Sequence, residues 1–364
     1  MRITIVAGAR PNFMKIAPII HEIEKQQEKG APISYRLVHT GQHYDSNLSA
    51  TFFEDLNIPK PHRNLEVHSG TQAEQTGGIM VGFEQELQEN PTDLVLVVGD
   101  VTSTMACTLV AKKAHVKVAH VEAGIRSGDR TMPEEINRIV TDSISDYFFT
   151  TSRQASEHLQ SIGIPRDHIH FVGNVMIDTL KNNLHRIKKP LFWDHMALDV
   201  KEYYVLTLHR PSNVDALEAF TSLLSHILKN TNGAPVIFPV HPRTQKLIQD
   251  ASVSFDNLHC IEPQGYLHFI YLVKHAKAVL TDSGGITEEA SILNVPCLTF
   301  RDSTERPETI TQGTNMLVGT DPDAIDKAFS TLKADHWKQT QPIEKWDGKA
   351  AQRIVAHILK YYGH

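Results

Sequence analysis

Short, almost wholly apolar runs alternate with amphipathic stretches along the whole chain. Residues 2–8 predict a buried strand, 12–26 a helix and 34–40 the next strand. Residues 93–98 (Asp-Leu-Val-Leu-Val-Val) are apolar after the first position, as a parallel strand covered on both faces should be. Runs at 116–121, 147–151 and 168–172 continue the series. A second series opens near Tyr203, with strands expected at 203–208, 235–240, 258–261, 278–281, 296–300 and 316–318. This alternation predicts the α/β class, as two Rossmann-like doubly wound domains with an interdomain cleft. The division is placed at 1–173 and 174–347. The stretch 188–201 has poor periodicity and reads as a hinge-side excursion. No repeat of 20–50 residues and no low-complexity segment is present.

The length, 364 residues, fits two domains of about 150–200 residues each. A formal net charge of −6 gives no sign of a nucleic-acid partner. No apolar run approaches the roughly 20 residues that span a bilayer. Met1–Val6 enters a strand directly, without the three-part layout of a signal peptide. Cys107, Cys260 and Cys297 are odd in number, far apart and set among apolar residues. They read as buried free thiols in a reducing compartment, hence a cytoplasmic protein.

In open parallel sheets, ligands bind beyond the carboxyl ends of the strands, so polar residues there carry most weight. The first strand is followed by Gly8-Ala9-Arg10-Pro11-Asn12-Phe13-Met14-Lys15. Only Gly8 of the Gly-x-Gly-x-x-Gly dinucleotide pattern is present, which argues against an NAD-dependent route. Arg10 and Lys15 instead bring two cations to a helix start, where an anion would sit. Further on come Thr40–Asp45, then Gly99-Asp100 before a run of hydroxyls, then His120-Val121-Glu122-Ala123-Gly124. Asp100 reads equally as a helix cap. Glu122 ends a buried strand and needs solvent or a partner. Pro133-Glu134-Glu135 fits a helix first turn, where acids favour the dipole. Asp100, Glu122 and Glu134 nonetheless converge on one sheet edge, and clustered carboxylates raise one another's pKa, which suits acid–base work. In the second half the strand ends carry His209-Arg210, His241-Pro242-Arg243 and Thr281-Asp282-Ser283-Gly284-Gly285. The last lets backbone N–H groups meet a diphosphate at a helix N-terminus, with Glu289 in reach of ribose hydroxyls.

In order and spacing these motifs resemble the non-hydrolysing UDP-N-acetylglucosamine 2-epimerases over nearly the whole chain. The resemblance rests on Gly8–Pro11 with Lys15, Gly99-Asp100, His120–Gly124, Pro133–Arg138, Asp282–Ala290 and Arg301–Pro307. It implies a glycosyltransferase-B-like fold, a nucleotide in the cleft of a UDP-binding second domain, and a final helix near 348–364 that returns to the first domain. It implies catalytic roles for Asp100, Glu122, Glu134 and His209. Arg10, Lys15, Arg138, His209, Arg210, His241, Ser283, Gly284, Gly285, Glu289 and Arg306 are implied in binding the UDP-sugar. A homodimer, and a part in cell-surface polysaccharide biosynthesis, are also implied. The chain departs from many members at Asn12, where they have Glu, and at Pro211-Ser212, where they have Arg-Glu. Its loop from Glu122 to Glu134 is shorter than in the best-known bacterial enzymes. In bacterial relatives a second, activating UDP-GlcNAc is held by a glutamine and an arginine where this chain has Asp45 and Ser69. Gln42, Arg210 and His241 remain.

The implied reaction converts UDP-GlcNAc and UDP-ManNAc by eliminating UDP to 2-acetamidoglucal and adding it back. It needs cations and N–H dipoles for the departing diphosphate and acid–base groups for two faces, but neither NAD nor metal. Alternatives are a 2-epimerase of another UDP-hexosamine such as a diacetamido uronate, a hydrolysing 2-epimerase, a glycosyltransferase of the same fold, and a nucleotide-sugar sensor.

Overall fold

The computed structural model describes residues 1–41, 52–67, 70–209, 217–240, 248 and 255–362, with only the backbone of Arg10. The chain forms two compact units, residues 1–182 with 344–364, and residues 183–343. The first unit therefore runs past the 173/174 division expected from sequence.

The first unit is built from β1 (Arg2–Ala7), α1 (Arg10–Glu28), β2 (Ser34–His39), β3 (Arg63–Asn64), α2 (Gln72–Glu89), β4 (Leu94–Val98), α3 (Thr102–Lys113), β5 (Lys117–Val121), α4 (Pro133–Ile144), β6 (Tyr147–Thr150), α5 (Arg153–Ser161), β7 (Ile169–Phe171) and α6 (Val175–Asn183). Its strands form a parallel seven-stranded sheet in the order β3-β2-β1-β4-β5-β6-β7. β4 is buried at every position, which its unbroken Leu-Val-Leu-Val-Val run requires of a strand covered on both faces. The sequence pattern missed β3, two residues long and too short for any periodicity.

The second unit holds α7 (Phe192–His195), β8 (Tyr204–Thr207), α8 (Leu217–Asn230), β9 (Val236–Pro239), β10 (Leu258–Ile261), α9 (Tyr266–His275), β11 (Ala278–Thr281), α10 (Gly284–Ile292), β12 (Cys297–Thr299), α11 (Pro307–Thr311), β13 (Asn315–Leu317) and α12 (Pro322–Lys333). Its parallel six-stranded sheet runs β10-β9-β8-β11-β12-β13. Helix α13 (Ala350–Tyr362) completes the first unit and packs on α1.

Stretch 188–201, aperiodic in sequence, is anchored in the second unit. Trp193 is buried and meets Tyr203 and Tyr271 edge-on, at centroid distances of 5.1 and 5.3 Å. Together with Leu198 it forms a core cluster of the second unit. Cys107 and Cys297 are buried free thiols as expected, whereas Cys260 is half-buried. No helix among the described residues is long and apolar enough to cross a membrane.

Both strand orders reverse direction at one place, between β1 and β4 in the first sheet and between β8 and β11 in the second. The loops leaving these strand pairs diverge to opposite faces and open a crevice at the carboxyl ends. The topology alone thus selects the segments after Ala7, Val98, Thr207 and Thr281.

Candidate active-site residues

In the first unit the β1–α1 turn is set by Asn12. Its side-chain carbonyl accepts from the N–H groups of Gly8 (2.9 Å) and Ala9 (3.0 Å), and its amide donates to the Val98 carbonyl of β4 (3.2 Å). A glutamate here could accept but not donate, so the asparagine is what ties the two switch-point strands together. One turn along α1, Lys15 pairs with Glu122 at the end of β5. Their side chains are 12 % and 2 % exposed.

Glu122 has a φ of 72°, in the left-handed region. For a residue with a Cβ this costs on the order of 1 kcal/mol or more, and such outliers gather at functional sites. Gly99 between them also has positive φ (67°), and a Cβ there would come within 2.8 Å of Lys15 Nζ and 3.3 Å of Glu122 Oε2. Only glycine leaves room for the pair.

Asp100 follows Gly99 and is held from α4. Arg138 donates to Asp100 Oδ2 from Nε (3.0 Å) and Nη2 (2.5 Å), while Asn137 donates to the Asp100 carbonyl (2.8 Å). Each of Asp100 and Glu122 therefore meets a cation, where the sequence suggested carboxylates acting on one another. Glu135 is more than a dipole partner at the helix start. It is buried and accepts from the N–H groups of Ser127 (2.9 Å) and Gly128 (3.1 Å) and from Arg138 Nη1 (2.8 Å). Burial pushes its pKa up, but these donors outweigh that and leave it below the usual carboxylate range. Glu134 is half-buried and pairs with nothing among the described residues.

The second unit gathers a different set. β8 and β11 pair in register Thr207 to Thr281, which brings His209 beside Asp282. The buried Asp282 carboxylate accepts from the His209 N–H (3.1 and 3.0 Å), and His209 Nδ1 lies 2.8 Å from Asp282 Oδ1. The His209 side chain is 63 % exposed and that of Asp282 fully buried. A carboxylate on Nδ1 fixes the ring and leaves Nε2 for a ligand, as with oriented histidines elsewhere.

Ser283 is the extended N-cap of α10; its side chain makes no cap bond, and its own N–H donates to the Thr281 hydroxyl (2.9 Å). A Cβ on Gly284 would meet only Arg301 Nη1 (3.6 Å) and Glu305 Oε2 (3.8 Å), and one on Gly285 nothing within 4 Å. Glu289 is buried and accepts from the Tyr266 hydroxyl (2.9 Å). Burial pushes its pKa up to about 8, with the neighbouring Glu288 adding to the rise. Arg306 pairs with buried Glu288, and Arg301 makes a two-pronged bond to Glu305 (2.9 and 2.7 Å).

The structure thus groups Lys15, Asp100, Glu122, Glu134 and Arg138 in one unit and His209, Ser283, Gly284, Gly285, Glu289 and Arg306 in the other. Arg210, His241, Gln42, Asp45 and Ser69 lie outside the described residues, as does the side chain of Arg10. Sequence reasoning assigned no role to Asp282, Asn12 or Tyr266. For Asp282 the signal was available, an acid at the end of a buried strand one residue before the Ser-Gly-Gly turn.

A model of the UDP-N-acetylglucosamine 2-epimerase family matches residues 25–359. A UDP-N-acetylglucosamine 2-epimerase of Methanocaldococcus jannaschii is 42 % identical, with 99 % of each chain covered. A UDP-2,3-diacetamido-2,3-dideoxy-D-glucuronate 2-epimerase of Pseudomonas aeruginosa is 40 % identical, over 99 % of this chain and 100 % of the relative. Among solved structures, the Methanocaldococcus jannaschii UDP-GlcNAc 2-epimerase in complex with UDP-GlcNAc and UDP is similar with a TM-score of 0.88 and 41 % identity, over 99 % of this chain and 100 % of that one. With its two Rossmann-like sheets of glycosyltransferase-B-like type, the chain belongs to the UDP-N-acetylglucosamine 2-epimerase family.

Proposed function

We propose that the protein interconverts UDP-GlcNAc and UDP-ManNAc by inverting C2. The observation that carries this reading is the pairing of two site types in one family member. One unit offers carboxylates held by cations, Lys15–Glu122 and Arg138–Asp100. The other offers an uncapped helix start beside a carboxylate-fixed histidine.

The C2 hydrogen of the hexosamine is not next to a carbonyl, so removing it alone is very difficult. As the C1–O bond breaks, the bonding pair leaves with UDP and C2 becomes acidic. A carboxylate takes the C2 proton, and the C1=C2 bond of 2-acetamidoglucal forms. Return of a proton to the opposite face of C2, with attack of the UDP oxygen on C1, gives the epimer. Asp100, Glu122 and Glu134 are the acid–base candidates, with Lys15 and Arg138 holding two of them in place. The N–H groups of Gly284 and Gly285, with the Ser283 hydroxyl and His209, would take the charge that develops on the diphosphate. Asp282 would keep the His209 ring aimed. Glu289 is assigned to the ribose, with Arg306, Arg210, His241 and Arg10 completing the binding set. Family membership also supports a cytoplasmic homodimer that supplies cell-surface polysaccharide synthesis.

Proton NMR of UDP-GlcNAc with the protein in D₂O tests the reading. The expected result is a UDP-ManNAc anomeric signal, with deuterium entering C2 of both sugars. Free ManNAc with UDP would replace it by hydrolysis. A second substrate, a UDP-diacetamido uronate, is favoured by the 40 % identity to the Pseudomonas aeruginosa enzyme, against 42 % for the UDP-GlcNAc relative. Deuterium entry into that sugar alone would select it.

A further inference from the structure

Beneath the acid–base groups of the first unit lies a buried ionic cluster that the reading above does not use. His120, on β5, is 1 % exposed, and its partner Asp142, at the far end of α4, is fully buried. His120 Nδ1 lies 2.7 Å from Asp142 Oδ1, and Nε2 lies 2.9 Å from the Gly99 carbonyl. A carbonyl oxygen can only accept. The Asp142 carboxylate already accepts from the Gly124 N–H (3.1 Å) and from Arg126 Nη1 (2.6 Å). The Arg126 guanidinium against it favours the ionised carboxylate, so Asp142 too is an acceptor. Both ring nitrogens of His120 therefore face acceptors and both donate.

The two acceptors are also the points that aim the acids. Gly99 sits in a left-handed turn and is followed at once by Asp100. Gly124 has φ of 81°, and a Cβ there would come within 2.4 Å of the Ala155 carbonyl, so its N–H is fixed toward Asp142 two residues after Glu122. Helix α4 holds both ends of the arrangement, with Asn137 and Arg138 on Asp100 and, one turn on, Asp142 on the β5 end.

We propose that His120 is a positioning residue that carries a proton on both ring nitrogens and, clamped by Asp142, locks the Gly99 turn and so the placing of Asp100 and Glu122. The proposal rests on the functional reading given above. Its role differs from packing, because a neutral ring of the same shape would turn a lone pair toward an oxygen and loosen one of the two strand ends. Misplacing reacting groups by about 1 Å can cost roughly 100-fold in rate.

Nitrogen-15 NMR of the histidine-labelled wild-type protein at pH 7.5 reads the ring directly. The expected spectrum has one histidine with hydrogen on both ring nitrogens, and that signal disappears in His120→Asn. A bare Nδ1 or Nε2 in the His120 ring would overturn the proposal without any activity measurement. His120→Asn and Asp142→Asn are then assayed for deuterium entry at C2, with UDP affinity measured by calorimetry. The expected outcome is a kcat lowered about 10- to 100-fold in both, with UDP affinity changed by less than about twofold. A folded variant of either kind turning over at the wild-type rate overturns it. Asp142→Asn keeps the side-chain shape and serves if His120→Asn does not fold. A wild-type protein that leaves UDP-GlcNAc unaltered in the same assay sinks the functional reading instead, while the ring spectrum still reports the protonation.

Discussion

Single side chains in this protein are informative mostly through their partners. Glu289 was expected near a ribose from its place one and a half turns into α10. The structure adds that it is buried against Tyr266 and that its pKa rises to about 8. Below pH 8 it is then neutral and can donate as well as accept, and above pH 8 it places a charge in the unit assigned to anionic UDP. UDP affinity is predicted to fall as pH rises through 8, and Glu289→Gln to flatten that fall. Calorimetric titration between pH 7 and 9 checks this, and an equal slope in both proteins would exclude the group. The acids at strand ends could be picked from the sequence because an ionised group after a buried apolar run is conspicuous. Their cations were harder to assign. The Lys15–Glu122 contact joins α1 to β5, and the Asp282–His209 contact depends on the register of two strands that lie far apart in sequence.

At the scale of elements, the strands were legible because fully buried parallel strands are apolar throughout. Segment 188–201 lacks periodicity because one short helix and the turn after it place Trp193 and Leu198 in the second unit's core, tertiary contacts with no repeat to detect. The docking of α13 likewise depends on a few paired groups. Asp178 of α6 accepts from the N–H groups of Ala350 (3.1 Å) and Ala351 (2.7 Å). Burial raises its pKa to about 6, against the lowering effect of those N–H groups. Its contribution is therefore complete below the ordinary 3.8 and is lost as pH rises through 6. Further along the helix, His170 stacks on His357 (4.0 Å) and bonds to the Tyr361 hydroxyl (2.6 Å). Burial, then the neighbouring His357, push its pKa down to about 4. Its contribution is complete above the ordinary 6.5 and is lost as pH falls through 4. The two slopes oppose each other. Relative to wild type, Asp178→Asn is predicted to steepen the gain in α13 protection as pH rises from 4 to 6, and His170→Asn to reverse it. Hydrogen exchange at Ala350–Tyr362, corrected for intrinsic rate, measures both, and parallel profiles would refute the assignment.

For the molecule as a whole, the proposed reading assigns the acid–base carboxylates to one unit and the diphosphate contacts to the other. That separation predicts a clean split between variants. Gly285→Leu should fold at least as well as wild type, since nothing lies within 4 Å of the new Cβ and leucine favours a helix more than glycine. The leucine side chain would nonetheless stand in the open space at the helix start and keep the diphosphate off one or more N–H groups, weakening UDP roughly 10- to 100-fold. Glu122→Gln should do the opposite, keeping UDP and losing turnover by about 100-fold or more. Calorimetry and C2 exchange on both proteins would show the crossed pattern, and parallel losses would contradict it.

The first unit takes its last helix from the far end of the chain, while the second is one continuous stretch, residues 183–343. Synthesis therefore finishes the two in the reverse of their order of starting. At a translation rate of about 5–20 residues per second, the second unit takes on the order of 10–30 s to emerge. During that interval the β6–β7 side of the first unit waits with the faces of Phe149 and His170 uncovered. The unit made first stays incomplete on the ribosome and closes only when α13 arrives, so a late stop in translation would be felt in the half of the protein that was synthesised earliest.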